Sequence, residues 1–134
     1  MIIDTSAIIA ILRDEPKALP CAQAIAQATV RRVSAVTFVE SGVVIDASRD
    51  PVATRRFDDF MREAGISVEP VTKVQAQIAK DAYRDFGKGS GHPAQLNFGD
   101  CFAYALARET GEPLLFIGDD FVRTDLVSVL PNDR

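Results

Sequence analysis

Short strand-like segments alternate along this chain with longer segments in which apolar residues recur every three or four positions. The segments typical of strands lie at residues 1–3, 31–35, 66–71, 113–118 and 127–130. The segments typical of helices lie at residues 5–12, 17–28, 36–50, 51–64, 72–86 and 97–111. Because strands that alternate with helices are joined by right-handed crossovers, the pattern predicts an α/β fold with a mainly parallel central sheet.

Residues that begin or end helices support these boundaries. Pro16 suits the first turn of the second helix, where its missing N–H has no cost. Gly65 and Gly111 follow helical segments and are suited to end them. Asn97 and Asp100 have the spacing of a capping box at the start of the last helix. The apolar residues predicted to form the packing face of that helix are Phe98, Cys101, Phe102, Ala105 and Leu106.

The helical segment 36–50 carries a charged residue on its predicted buried face. Glu40 lies on that face, and an unpaired carboxylate is costly to move out of water. Glu40 therefore requires a cation, a hydrogen-bonded partner or a water-filled cleft. An ion pair with Arg31 or Arg32 is a purely structural alternative. The apolar residues that define the face are Val36, Val39, Val43, Val44 and Ala47.

Carboxylates follow two of the apolar strands directly. Asp4 follows the first strand, and Asp119 and Asp120 follow the fourth. The carboxyl ends of parallel strands share one edge, where ligands bind in open α/β sheets. Asp100 begins the helix that leads to the fourth strand, so we expect these acids to converge with Glu40. Helix capping is the competing explanation, because Asp is common at N-caps and in first helical turns.

Converging carboxylates would form a metal site. The acids raise one another's pKa, so such a cluster is stable at neutral pH only beside a compensating cation. Oxygen ligands without His or Cys favour Mg²⁺, or Mn²⁺, over zinc. Such a site suits hydrolysis of phosphodiester bonds, because the metal activates a water and neutralises charge on the phosphate.

The glycine-rich loop at residues 87–95 holds a lysine and the chain's one histidine. Its spacing matches neither a P-loop nor a dinucleotide-binding motif, so no nucleotide cofactor is predicted. Lys88 is a candidate contact for a substrate phosphate. The simpler interpretation of both Lys88 and His92 is a solvated loop.

Composition limits the remaining possibilities. The 134 residues suffice for a single domain, 1–134, and are too few for two ordinary ones. No apolar run approaches the ~20 residues that a bilayer requires, so we expect a cytoplasmic protein with no membrane contact. Cys21 and Cys101 have no metal-binding or redox spacing and are predicted to be buried thiols. The net charge of −4 argues against a protein that coats nucleic acid, but not against a nuclease.

Four motifs together resemble those of a known family. They are the opening MIIDTSAIIAIL with the following Glu15 and Pro16, the inward Glu40, the stretch LNFGDCFAYALA around Asp100, and LLFIGDDF near the end. With these motifs the chain resembles PIN-domain ribonucleases, and specifically VapC-type toxins of VapBC toxin–antitoxin pairs. The resemblance covers nearly the whole chain.

The resemblance implies a PIN-like α/β/α sandwich and Mg²⁺-dependent endonuclease activity on RNA. It assigns three catalytic and metal-binding acids to Asp4, Glu40 and Asp100. The family's hydroxyl beside the first acid falls on Thr5 or Ser6, which join Lys88 as candidate substrate contacts.

The fourth acid is the point at which the chain departs from the family pattern. Gly118 stands where the family commonly has an Asp, so the fourth ligand is Asp119 or Asp120, or acts only through water, with Asp120 preferred. The resemblance also implies a homodimer and a cognate VapB-type antitoxin that inserts a peptide near the acids and inhibits cleavage. The candidate walls for that peptide are the helices at 17–28 and 36–64.

Two other classes of function remain open at this point. A phosphatase that forms an aspartyl phosphate would use Asp4, but it requires a second Asp at position 6, where this chain has Ser. A catalytically silent PIN fold that binds RNA or a protein partner is the stronger alternative, given the acidic net charge and the uncertain fourth acid.

Overall fold

The computed structural model describes residues 1–131, in which parallel strands form one central sheet. The strands are β1 (Ile2–Ile3), β2 (Arg32–Ser34), β3 (Ser67–Glu69) and β4 (Leu114–Leu115), in the order β3-β2-β1-β4. The helices are α1 (Thr5–Leu12), α2 (Ala18–Gln27), α3 (Ala35–Asp46), α4 (Pro51–Glu63), α5 (Lys73–Phe86) and α6 (Phe98–Thr110). The predicted parallel α/β fold is therefore confirmed.

The register of the sheet makes β1 its central strand. Ile2 lies opposite Arg32 of β2 on one side and Leu114 of β4 on the other, and both pairings are parallel. The backbone N–H of Asp4 donates to Leu115 O at 2.9 Å, so the chain is still held to β4 where β1 ends. The carboxyl ends of β1 and β4 consequently lie side by side.

Alternation of side chains along the short strands produces two separate hydrophobic layers. Ile2 and Leu114 belong to a core formed mainly with α5 and α6. Ile3 and Leu115 belong to a second core, formed with α1, α2, α3 and α4. Because successive strand residues point to opposite faces, these two cores lie on the two sides of the sheet. This arrangement is the predicted α/β/α sandwich.

The segment 127–130 is less regular than its apolar pattern predicted. Ser128 forms one parallel bridge to Leu114, supported by the backbone hydrogen bonds from Leu114 N to Val127 O and from Val129 N to Leu114 O. The segment extends the sheet beyond β4 through these contacts without forming a full strand. The second helix also begins later than predicted, at Ala18, so Pro16 precedes it.

The buried face of α3 differs from the predicted one. Thr37, Ser41 and Ile45 are buried, whereas Val39 and Val43 are 60% and 64% exposed. The inner face carries small hydroxyl residues, and the Ser41 hydroxyl donates a hydrogen bond to Thr37 O at 2.8 Å. Val39 and Val43 are left on the surface, whereas Val36 and Val44 are half-buried.

Two further predictions about burial have mixed outcomes. Phe98, predicted to pack inward from α6, is 70% exposed, because the helix turns its Gly99, Asp100 and Cys101 inward instead. Cys21 and Cys101 are buried as predicted and belong to different cores. Within residues 1–131, no helix has the length and apolar character needed to cross a membrane.

A pair of substitutions on α3 tests which face is buried. We expect Ile45→Ala to lower the free energy of unfolding by about 2–4 kcal/mol, because it leaves a cavity in the core. Val43→Ala should change it by less than about 0.5 kcal/mol, as is usual for exposed positions. Denaturant unfolding at a concentration where the chain is monomeric measures both. A larger loss for Val43→Ala would show that the valine stripe is the buried one.

Candidate active site

Asp4 lies at the junction of β1 and α1. It is the N-cap of α1, and its Oδ2 accepts hydrogen bonds from Ser6 N at 3.0 Å and Ser6 Oγ at 2.7 Å. Burial raises the pKa of Asp4 to about 6, an effect that the Ser6 hydrogen bonds oppose and the charge of Glu40 adds to. The cap interpretation is thus correct for Asp4, but a cap alone does not account for a buried acid beside a second acid.

Ser6 joins this acid to the neighbouring strand. Its hydroxyl donates to Asp4 and accepts a hydrogen bond from Ile117 N at 2.9 Å. Ile117 follows β4 and precedes the acidic pair, so one side chain links the carboxyl ends of β1 and β4. Sequence reasoning did not identify this link, because its partner is a backbone N–H 111 positions away.

Glu40 reaches the same edge from α3. Its Oε1 accepts a hydrogen bond from Thr5 Oγ1 at 2.5 Å, and Ser41 Oγ lies 3.4 Å from the same Thr5 hydroxyl. The hydroxyls of Thr5 and Ser6, both candidate substrate contacts, are engaged with Glu40 and Asp4 and orient these carboxylates. A substrate contact by Thr5 or Ser6 stays a prediction.

The ion-pair alternative for Glu40 is wrong. Arg31 donates to the backbone carbonyls of Ala26, Ala28 and Ala64. Arg32 instead forms ion pairs with Glu69 at 3.7 Å and Glu112 at 3.3 Å. These contacts engage the guanidinium groups of both arginines. The arginines therefore do not neutralise Glu40.

Asp100 comes from the first turn of α6. Its Oδ2 accepts a hydrogen bond from Asn97 N at 3.0 Å, and Asn97 Oδ1 accepts one from Asp100 N at 2.8 Å, which confirms the capping box. Burial raises the pKa of Asp100 to about 7, against the effect of the Asn97 N–H. The charges of Asp4, Asp120 and Glu40 raise it further.

The last two acids differ in their relation to this cluster. Asp119 and Asp120 both lie exposed after β4 and directly after Gly118, whose φ of 99° turns the chain there. Asp120 is among the charges that raise the pKa of Asp100. This electrostatic contact favours Asp120 over Asp119 as the fourth acid of the cluster.

Helix α6 approaches Glu40 closely at Gly99, a residue that sequence reasoning did not single out. A Cβ built at Gly99 would overlap the carboxylate of Glu40. The signal in the sequence was a glycine inside the first turn of a helix, where glycine is unfavourable unless a contact requires it.

The structure therefore brings Asp4, Glu40 and Asp120 within electrostatic reach of Asp100, and Glu40 within reach of Asp4, at one edge of the sheet. The neighbouring charges that shift the pKa values of Asp4 and Asp100 are all carboxylates, and the hydrogen bonds that Asp4, Glu40 and Asp100 accept engage one oxygen of each carboxylate. This oxygen-only, negatively charged donor set fits a hard divalent cation by its chemistry. In residues 1–131, no three Asp, Glu, His or Cys side chains already stand where they could hold a metal ion. Binding would require the carboxylates to move inward.

The glycine-rich loop contributes less to this edge. Lys88 is exposed, and its backbone N–H donates to Leu96 O at 2.9 Å, which closes the loop. The ring of His92 packs edge-on against Phe86, with ring centroids 4.9 Å apart, and its Nδ1 accepts a hydrogen bond from Ala94 N. His92 thus has a structural role in the loop. A substrate contact by Lys88 stays a prediction.

The fold is that of a PIN domain, and the PIN-domain family matches residues 1–126 of the chain. Ribonuclease VapC28 of Mycobacterium tuberculosis is 57% identical over 130 residues, which cover 97% of this chain and 98% of the relative. The chain therefore belongs to the PIN-domain family and, within it, to the VapC type. The resemblance indicated by the four sequence motifs is confirmed.

Solved structures agree on the fold. Mycobacterium tuberculosis VapC20, described as a toxin that cleaves the sarcin–ricin loop, superimposes with a TM-score of 0.74 at 19% identity. That comparison covers 97% of this chain and 98% of the other. A toxin–antitoxin complex from Klebsiella pneumoniae gives a TM-score of 0.67 at 16% identity, over 90% and 88% of the two chains. At these identities the likeness concerns the fold alone.

The raised pKa values predict an unusual dependence of stability on pH. Asp4 and Asp100 have pKa values of about 6 and about 7, above the ordinary value of 3.8. Between pH 3.8 and about 7, the folded chain therefore binds more protons than the unfolded chain. We expect the metal-free protein to lose stability as the pH rises from about 4 to about 7. Thermal unfolding across this range measures the effect, and Asp100→Asn should reduce it. Stability that rises with pH in both proteins would contradict the burial of these acids.

Proposed function

We propose that this chain is a Mg²⁺-dependent endoribonuclease toxin that cleaves RNA phosphodiester bonds and is inhibited by a cognate VapB-type antitoxin. The observation that carries the proposal is the convergence of Asp4, Glu40 and Asp100, with Asp120 beside them, on one edge of the sheet. The ribonuclease named in the relative at 57% identity supports the same activity.

Asp4 and Asp100 would hold the metal, with Glu40 and Asp120 completing the site directly or through water. Such an ion, when bound, activates water for attack on phosphorus and offsets the charge that develops on the phosphate oxygens. Mn²⁺ could replace Mg²⁺, since both are hard ions with oxygen ligands. The raised pKa values of Asp4 and Asp100 support this assignment, because a cation would stabilise the charged forms that burial, and then the neighbouring carboxylates, now disfavour.

Hydrogen bonds within the chain would orient the carboxylates that hold the metal. Ser6 orients the Oδ2 of Asp4, and Thr5 orients the Oε1 of Glu40. The capping box holds Asp100 at the start of α6. These hydrogen bonds would keep the carboxylates at one edge of the sheet before metal and substrate bind, from where they would move inward to hold the metal. Lys88 would attract the RNA backbone through its exposed charge.

A VapB-type antitoxin and a second copy of the chain are the protein partners that we propose. Val36, Val39 and Phe98 line an open apolar groove that also contains Glu40 and Gly99. A peptide placed in this groove would lie directly beside the acids. The solved complex from Klebsiella pneumoniae, named as a toxin–antitoxin complex, supports an antitoxin partner. A cytoplasmic location, in which RNA is accessible, belongs to the same proposal.

The alternative is a PIN fold that binds RNA or a partner without cleaving. Two observations favour it: the exposure of Asp120, and the absence in residues 1–131 of side chains already arranged to hold a metal. Calorimetry separates the two functions. Mg²⁺ or Mn²⁺ binding together with RNA cleavage supports the nuclease, whereas no metal binding at millimolar concentration supports the silent module.

Substitution of the two most buried acids tests the nuclease directly. We expect Asp4→Asn and Asp100→Asn each to reduce RNA cleavage by at least about 100-fold, because a neutral amide cannot neutralise the metal. The melting temperature should not fall, since Asn also accepts capping hydrogen bonds and removes a buried charge. Initial rates on total RNA with Mg²⁺, and with a chelator control, provide the measurement. Wild-type rates in both variants would exclude the proposal.

Substitutions of Asp119 and Asp120, the two acids after β4, form a matched pair that tests which of them is the fourth acid. Asp120→Asn should reduce cleavage by about 10- to 100-fold, a usual cost when the support of a metal site is weakened. It should also lower the pKa of Asp100, measured by NMR titration, because one repelling charge is lost. Asp119→Asn should leave both quantities nearly unchanged. The reverse pattern would assign the fourth position to Asp119.

A further inference from the structure

Gly99 lies in the first turn of α6, immediately before Asp100. The carboxylate of Glu40, which belongs to α3, occupies the space that a side chain at position 99 would fill. On its other side the same carboxylate accepts the hydrogen bond from Thr5 Oγ1 at 2.5 Å. Glu40 is thus held between a hydroxyl of α1 and the bare Cα of α6.

Backbone geometry does not explain a glycine at this position. The glycines with positive φ are Gly65, Gly89, Gly91, Gly111 and Gly118, all in turns or loops. Gly99 is helical, and glycine in a helix is less favourable than alanine. The contact with Glu40 is therefore the physical reason for glycine at position 99.

We propose that Gly99 is a positioning residue: by lacking a side chain, it admits the Glu40 carboxylate to the first turn of α6, beside Asp100. The inference rests on the proposed nuclease function for its catalytic consequence, but its structural part is independent of that function. The amino-terminal end of a helix also favours a negative charge nearby, which supports Glu40 in this place.

An alanine at position 99 should displace Glu40 without disturbing the fold. The atoms that it would meet are the end of a flexible side chain, not backbone. Rotation of Glu40 away from α6 relieves the overlap at small cost and breaks the hydrogen bond from Thr5. Asp100 and its capping box need not move, because their hydrogen bonds to Asn97 are formed on the helix itself.

Gly42 provides the matched control. It is also a helical glycine, in α3 near Glu40, but a Cβ at Gly42 would meet only Phe57 Cε1 at 4.0 Å, an ordinary contact. Gly42→Ala therefore adds the same methyl group and the same helix propensity without an overlap. We expect Gly42→Ala to bind metal and cleave RNA as the wild-type chain does.

The first measurement requires no activity. Melting temperatures are compared for the wild-type chain, Gly99→Ala, Glu40→Ala and the double variant, all without metal. We expect Gly99→Ala to raise the melting temperature more in the Glu40→Ala background, where the overlap is absent, than in the wild-type background. Equal shifts in the two backgrounds would overturn the proposal. A crystal structure of Gly99→Ala with Glu40 still bonded to Thr5 would overturn it as well.

The second measurement concerns the metal, with Mn²⁺ alone as the probe in calorimetry. We expect the dissociation constant to rise about 10- to 100-fold in Gly99→Ala and to stay unchanged in Gly42→Ala. Unchanged affinity in Gly99→Ala would contradict a positioning role. If the wild-type chain neither binds Mn²⁺ nor cleaves RNA, the proposed function fails, and the melting comparison still decides the role of Gly99.

Discussion

The burial of two carboxylates, Asp4 and Asp100, at one edge of the sheet is the constraint around which this structure is arranged. Folding places Asp4 and Asp100 out of water and within electrostatic reach of Glu40, so that their pKa values rise towards neutrality. The adjoining residues Ile2 and Ile3 are fully buried in opposite cores, and this packing keeps the end of β1, and with it Asp4, in place. A fold that only needed stability would gain by replacing these acids, since unpaired buried charge is unfavourable.

The same residues serve as helix caps and as members of the acidic cluster. Asp4 caps α1 and Asp100 completes the capping box of α6, each through one carboxylate oxygen. Capping and clustering are compatible because a carboxylate has two oxygens. The hydroxyls of Thr5 and Ser6 then fix the carboxylates relative to one another, and Ser6 also binds the chain beyond β4. Local structure and the site are consequently stabilised by the same hydrogen bonds.

The face that α3 buries is the one that places Glu40 and Ser41 beside Thr5. The inner face of α3 carries Thr37 and Ser41, of which Ser41 lies 3.4 Å from the Thr5 hydroxyl, while Val39 and Val43 face outward. An exposed valine stripe next to the acids is unusual for an isolated domain and is more typical of a surface that a partner covers. The apolar groove lined by Val39 and Phe98 also contains Glu40, so the exposed valine surface extends to the acidic site.

The sequence by itself determined the order of strands and helices, the parallel sheet, the caps at Asp4 and Asn97, and the acids that converge. These features follow from local periodicity and from the rule that parallel strands end at one edge. Periodicity could not decide which face of α3 is buried, because small hydroxyl residues pack against α1 where Glu40 and Ser41 meet Thr5. Only the tertiary structure showed that Arg31 and Arg32 bind elsewhere, that Ser6 reaches Ile117, and that Gly99 makes room for Glu40. Each of these contacts joins residues distant in the chain, and its existence depends on how the layers pack.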